Sequence, residues 1–286
     1  MSSRAPQWFE NKYISGVILS LQDEGYRLKG TVNETGEQKG NQVTWKTAGR
    51  GDATIMSTAV ERRPVMNADR GNFTTTMVDY EANEWILSTD IEKMSENEQQ
   101  VAQETAAMAF GRLFDKLNMA TMDAAAGAIT TIDVTAAAAP SIVDVITASG
   151  QILSKGINGA PQLFCALPQM VMLQLELYRE FSSADYVGDR PMMKLIGART
   201  YKGVTYIPLP DEHFAVPSGG NVDYYVWQKA ALGFVPNYGL RSRIDYVPTE
   251  KAYFAGNTMG CATSVLLADG IRRIRSKLPT TLQRPA

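Results

Sequence analysis

Residues 88–127 read STDIEKMSENEQQVAQETAAMAFGRLFDKLNMATMDAAAG, a stretch dense in good helix formers. Ser88, Thr89 and Asp90 offer N-caps, Glu92, Glu96 and Glu98 suit the early turns, and Gly127 marks a stop. Val101, Met108, Phe110, Leu113, Phe114 and Leu117 form one apolar stripe. The pattern predicts a helix of ~30 residues, roughly 45 Å long at 1.5 Å per residue. That is far longer than a usual globular helix, and the rest of the chain must be arranged around it.

Upstream, residues 42–47 (QVTWKT) read as a strand. Residues 48–80, AGRGDATIMSTAVERRPVMNADRGNFTTTMVDY, alternate well enough for a β-hairpin but hold too few large apolar residues for two core strands. A hairpin that cannot bury a face in its own domain must project, and projecting loops bind things. Before it, Phe9, Tyr13, Val17 and Leu21 fall at i, i+4 spacing and predict a short amphipathic helix. Tyr26, Leu28 and Val32 alternate with polar residues and predict a strand, and polar, glycine-containing 33–41 predicts a loop.

Downstream, the low-complexity run 128–140 ends in Pro140 and reads as a domain junction. Then come a helix (SIVDVITASGQILSKGI), a buried strand (QLFCAL), a helix opened by Pro168, a loop with DYVGDRP, and strands at VTYIPL and DYYVWQ. Residues 231–275 turn mostly to strands, with the long helix as the largest surface available to receive them.

The 286 residues carry a net charge of −2, two cysteines and one histidine. The near-neutral charge argues against a free nucleic-acid binder. Cys165 and Cys261 are too few for a disulfide framework and read as reduced thiols of a cytosolic protein. No apolar run reaches the ~20 residues of a membrane span, and the N-terminus lacks a signal-peptide pattern. Net charge hides a division: residues 79–126 carry ten acidic and three basic side chains, residues 229–286 nine basic and three acidic. These segments could pair within one chain or between copies.

Catalytic signals are weak. With one histidine, no His-rich metal site can form from a single chain, and a Ser-His-Asp triad could use only His213. Asp211, Glu212 and His213 are adjacent, but between Pro210 and Pro217 they read as an exposed loop. Residues 150–156 (GQILSKG) have the wrong spacing for a phosphate-binding loop and read as a helix end. Arg50-Gly51-Asp52 reads as an exposed turn, and Cys165 as a small core residue. No catalytic, cofactor-binding or metal-binding residue is therefore predicted, and no cofactor.

The order of parts resembles the Hong Kong 97-type major capsid protein of tailed bacteriophages. Short motifs carry the likeness further: Pro64-Val65-Met66-Asn67 with Asp69, Val78-Asp79-Tyr80 with Trp85, Phe110-Gly111-Arg112 with Asp115, and Arg243-Ile244-Asp245-Tyr246 with Pro248. Residues 260–263, and Gly270-Ile271 with Ile274, complete them. The resemblance implies an α+β Hong Kong 97-type capsid fold in five parts. These are an N-terminal arm (1–41), an E-loop hairpin (42–80), a P-domain with the spine helix (81–139), an A-domain (140–230), and P-domain return strands with the C-terminus (231–286).

It implies a major capsid protein, not an enzyme, that self-assembles as pentamers and hexamers into an icosahedral shell around a double-stranded DNA genome. The alternative is an encapsulin-type bacterial compartment shell. The hairpin would lie over a neighbouring subunit, with Arg50, Asp52, Glu61, Arg62, Arg63, Asp69 and Arg70 at the seams. The chain starts at the arm, without the long helical scaffolding segment of some relatives, which implies a separate scaffolding protein or none. A portal protein and non-specifically packaged DNA are the other implied partners, with no membrane. The implied location is the virion capsid, after assembly in the host bacterial cytoplasm. Some relatives cross-link Lys to Asn. Lys46 could be a donor, but no acceptor Asn or catalytic Glu matches, so cross-links are not expected.

Overall fold

In a computed structural model, the structure describes residues 25–49, 51–53, 55, 66, 68, 70–87, 98–136, 139–156, 162–178, 199–215 and 220–282. The expected N-terminal helix at 9–21, the caps at 88–90 and the loop around 185–191 lie outside the described residues. Helix α1 (Glu98–Ala124) has 27 residues, about 40 Å. Phe110 and Phe114 of the predicted stripe are buried, and Leu113 and Leu117 pack at its margin. Met119 and Met122 extend it toward the C-terminal end.

The long antiparallel pair β11 (Leu232–Val247) and β12 (Ala252–Val265) lies against α1. Phe234 meets Phe114 edge-on, with ring centroids 4.5 Å apart, and Thr121 shares a 2.6 Å hydroxyl hydrogen bond with Thr263. The other edge of β12 takes two short strands, β4 (Val78–Glu81) and β5 (Glu84–Leu87). Strands β11 and β12 thus pack against the long helix, as expected.

A six-stranded sheet runs in the order β6 (Thr130–Asp133), β13 (Ile271–Lys277), β10 (Asn221–Gln228), β7 (Leu163–Pro168), β9 (Val204–Leu209), β8 (Arg199–Tyr201). Helices α2 (Ile142–Leu153) and α3 (Gln169–Glu176) pack on it. Ser141 caps α2 in a complete capping box with Asp144. One core cluster joins this sheet to α1, β11 and β12.

Five expectations change. Residues 27–32 form turns instead of a strand, because Gly25 (φ +69°) and Tyr26 (φ +55°) bring the chain flat onto α1. A Cβ on Gly25 would stand 1.9 Å from the Gly111 carbonyl carbon, so only glycine fits. The 33–41 loop contains a strand, β1 (Glu37–Lys39), which pairs with β2 (Gln42–Ala48) through a turn at Gly40 and Asn41. The run read as a junction contains β6, because Thr130, Thr131 and Ile132 are β-branched and lie parallel to β13. His213 is 5% exposed, in a short 3-10 turn facing α1 rather than an open loop. The last strand, β13, also enters the six-stranded sheet instead of joining β11 and β12.

Candidate assembly interface

Strand β2 and its partner β3 (Arg70–Thr76) form the base of the hairpin. Alternation turns Val43 and Trp45 inward, where they meet Met77, Val235, Ala262 and Leu266 in a small cluster of their own. Trp45 seats against Gly233: a Cβ there would come within 2.9 Å of the indole. Strand β3 buries almost nothing, and Phe73 is 44% exposed. The described part of the hairpin is thus anchored at its root by Val43 and Trp45 of β2 and by Met77 just beyond β3. Further out, Gly51 and Met66 meet closely enough that a Cβ on Gly51 would lie 2.5 Å from the Met66 sulfur. Ile55 and Met66 are exposed apolar side chains.

Of the seven predicted seam residues, Asp52 and Arg70 are described, and both are exposed. Arg50, Glu61, Arg62, Arg63 and Asp69 lie outside the described residues. Sequence reading missed the ion pair from Lys46 Nζ to Glu37 Oε1, 2.5 Å across the β1–β2 ladder. That hydrogen bond holds the Glu37 carboxyl below its ordinary range. It missed a second exposed apolar group as well: Val78, Trp85, Leu87 and Tyr246, on the strands flanking β12. Trp85 contacts Phe254 at 4.8 Å and Tyr246 contacts Tyr253 at 5.2 Å between centroids. The signal was available, since apolar residues outnumber what one thin sheet can bury.

The charge division resolves locally. Asp115, 0% exposed, accepts backbone N–H bonds from Arg27 and Leu28 at 3.1 and 3.0 Å. Asp123 accepts the Tyr225 hydroxyl at 2.5 Å, and Asp79 that of Tyr238 at 3.0 Å. Burial raises the Asp123 carboxyl despite that bond, and burial also raises Tyr225. From the basic segment, Arg275 grips Asp223 with two 2.7 Å bonds and Arg273 stands 3.7 Å from the same carboxylate. Arg243 pairs with Asp245 at 2.7 Å.

Cys165 and Cys261 are free, buried thiols; burial pushes Cys261 up to about 11 and Cys165 higher still. A cleft of about 250 Å³ between α1 and the 3-10 turn is lined by Ala109, Arg112, Leu113, Lys116, Glu212 and His213. It is smaller than a usual ligand pocket. Among the described residues, no group of three or more His, Cys, Asp or Glu could hold a metal ion, and no helix is long and apolar enough to cross a membrane.

A hairpin whose β3 strand stays open to solvent, beside a helix-backed body with exposed apolar side chains, offers surface for a neighbouring molecule to cover. The chain belongs to the phage capsid protein family, whose model matches residues 5–277. Among solved structures, the cyanophage Pam1 capsid asymmetric unit resembles it with a TM-score of 0.72 at 10% identity, over 93% of this chain and 95% of that one. The capsid structure of cyanophage P-SCSP1u gives 0.69 at 15% identity, over 93% and 92%. The Ralstonia phage GP4 capsid gives 0.68 at 9%, over 88% of each chain. No curated protein sequence matches the chain. The fold is the Hong Kong 97-type capsid fold, mixed α+β, and the protein is a major capsid protein located in the virion capsid. The family role is structural and rests on self-association into a shell; the match to a phage capsid family does not favour the encapsulin reading.

Proposed function

We propose that the chain assembles as pentamers and hexamers into an icosahedral shell around double-stranded DNA, and that the hairpin at 42–80 is its main reach onto a neighbouring subunit. Burial along the described part of the hairpin supports this reading: Val43, Trp45 and Met77 pack into the body at its root, while β3 stays open to solvent. Arg50, Asp52, Glu61, Arg62, Arg63, Asp69 and Arg70 then lie along the seams. Single exposed ion pairs contribute only ~0–1 kcal/mol each. Summed over many copies they decide shell stability, and their weakness lets misplaced subunits leave.

The five-part division supports the same picture: arm 1–41, E-loop 42–80, P-domain with spine helix 81–139, A-domain 140–230, and return strands from 231, with β13 reaching into the A-domain sheet. A portal protein and a separate scaffolding protein are the further proposed partners, and assembly belongs to the host bacterial cytoplasm. Changing Arg62 and Arg63 to Glu tests the hairpin's role. The monomer is expected to stay folded by circular dichroism while closed particles are lost in electron micrographs. Normal shells from that variant would sink the reading.

A further inference from the structure

The small sheet at the hairpin root has two edges, and they are treated differently. On one side β2 is covered by β1, three residues long with Glu37 and Lys39 at its ends. Short, charged edge strands resist further pairing. The other edge is β3 itself, in the strand order β1-β2-β3. It runs seven residues, Arg-Gly-Asn-Phe-Thr-Thr-Thr, about 23 Å at 3.3 Å per residue. Phe and Thr favour strand, Arg70 is its one charge, and it holds no proline.

The ladder says which backbone groups face outward. Register pairs Gln42 with Thr76 and Trp45 with Phe73. One step beyond, the Met77 N–H donates to the Asn41 carbonyl at 3.0 Å, so Asn41 and Met77 form a hydrogen-bonded pair. Hydrogen-bonded and non-bonded pairs alternate in an antiparallel ladder. Gly71, Phe73 and Thr75 therefore spend their N–H and C=O groups on β2. Arg70, Asn72, Thr74 and Thr76 turn theirs away from it. Side chains agree: Thr44 and Thr74 approach at 3.3 Å between hydroxyls, as a non-bonded pair allows. Among the described residues, no strand and no loop backbone hydrogen bond takes up that outer row.

We propose that this outer edge of β3 is a strand-addition site filled by a strand from a second copy of the chain. The inference rests on the reading of the hairpin as an inter-subunit reach and names the form of the contact: a backbone ladder, with the seam charges as its rim. The family assembles from copies of itself, so a second copy is the strand source always present at a seam. A ladder also draws its affinity from main-chain hydrogen bonds, which every copy of the chain can supply.

Proline at an outward position removes one donor of the outer row without touching the bonds to β2. Asn72→Pro and Thr74→Pro are expected to leave the monomer's circular dichroism unchanged and to lower the yield of closed shells at least tenfold. Thr74→Val is expected to assemble like wild type. Wild-type yield from both proline variants would overturn the proposal. If those variants assemble while the Arg62 and Arg63 reversal does not, strand addition falls and the hairpin reading stands; if all of them assemble, both fall.

Amide hydrogen exchange on unaltered protein gives a second test. Asn72, Thr74 and Thr76 are expected to exchange at least tenfold more slowly in shells than in monomers, while Phe73 and Thr75 are protected in both. Equal exchange of the outer amides in the two states contradicts the proposal, as does protection that needs an added scaffolding protein.

Discussion

Asp115 is the place where one substitution should do most damage to the body of the subunit. Residues 25–33 cross α1 as a strap. The Tyr26 N–H donates to Gly111 O at 3.1 Å, the Arg27 guanidinium to Pro208 O at 2.8 Å, and the Trp227 indole to Thr31 O at 3.1 Å. The strap thereby joins the helix to the six-stranded sheet, and the Asp115 carboxylate takes two of its N–H groups from within the core. Hydrogen bonds to a charged group contribute roughly 1.5–3 kcal/mol, and orphaned buried donors cost about 1–3 kcal/mol. Asp115→Asn keeps one acceptor oxygen but turns an amide donor toward the other N–H, for an expected loss of ~2–4 kcal/mol. Asp115→Ala orphans both and should cost about 3–5 kcal/mol. Equilibrium urea unfolding of the monomer, followed by tryptophan fluorescence, measures this. A loss under about 0.5 kcal/mol for Asp115→Ala would refute the role given to the strap.

Gly25→Ala forces a Cβ into the Gly111 backbone at a left-handed φ, and is expected to cost at least ~3 kcal/mol; an unchanged melting temperature would contradict it. The raised Asp123 carboxyl means the folded chain holds that proton more tightly than the unfolded one. Its contribution to stability therefore falls as pH rises from the ordinary Asp value of ~3.9 through the raised folded one. Relative to Asp123→Asn, wild type should lose stability across that window in urea titrations at stepped pH; a relative gain would be the wrong sign. Cys165 lies fully inside β7, so a thiol reagent should label it only after unfolding. Rapid labelling of the native monomer would place it wrongly.

What could be read beforehand was what local pattern controls. The long helix, β2, β7, β9, β10 and the Ser141-capped α2 each carry their own period or cap in consecutive residues. What escaped depends on distant partners. Tyr26, Leu28 and Val32 alternate as a strand would, yet Gly111 and Asp115, more than 80 residues on, pull that segment into turns. Strand β6 exists because β13 lies beside it, 142 residues later. His213 read as part of an exposed loop because burial of a polar group is set by partners that spacing cannot reveal. The exposure of β3 was legible from the hairpin's poverty in large apolar residues. Which edge of it stays open was not, since that follows from a register fixed only when β1 folds back through Gly40.

Electron microscopy of the purified protein under assembly conditions tests the central claim most directly. The account predicts closed icosahedral particles with walls built from pentamers and hexamers of this chain. Monomers or dimers alone, across all conditions tried and with the hairpin intact, would contradict it.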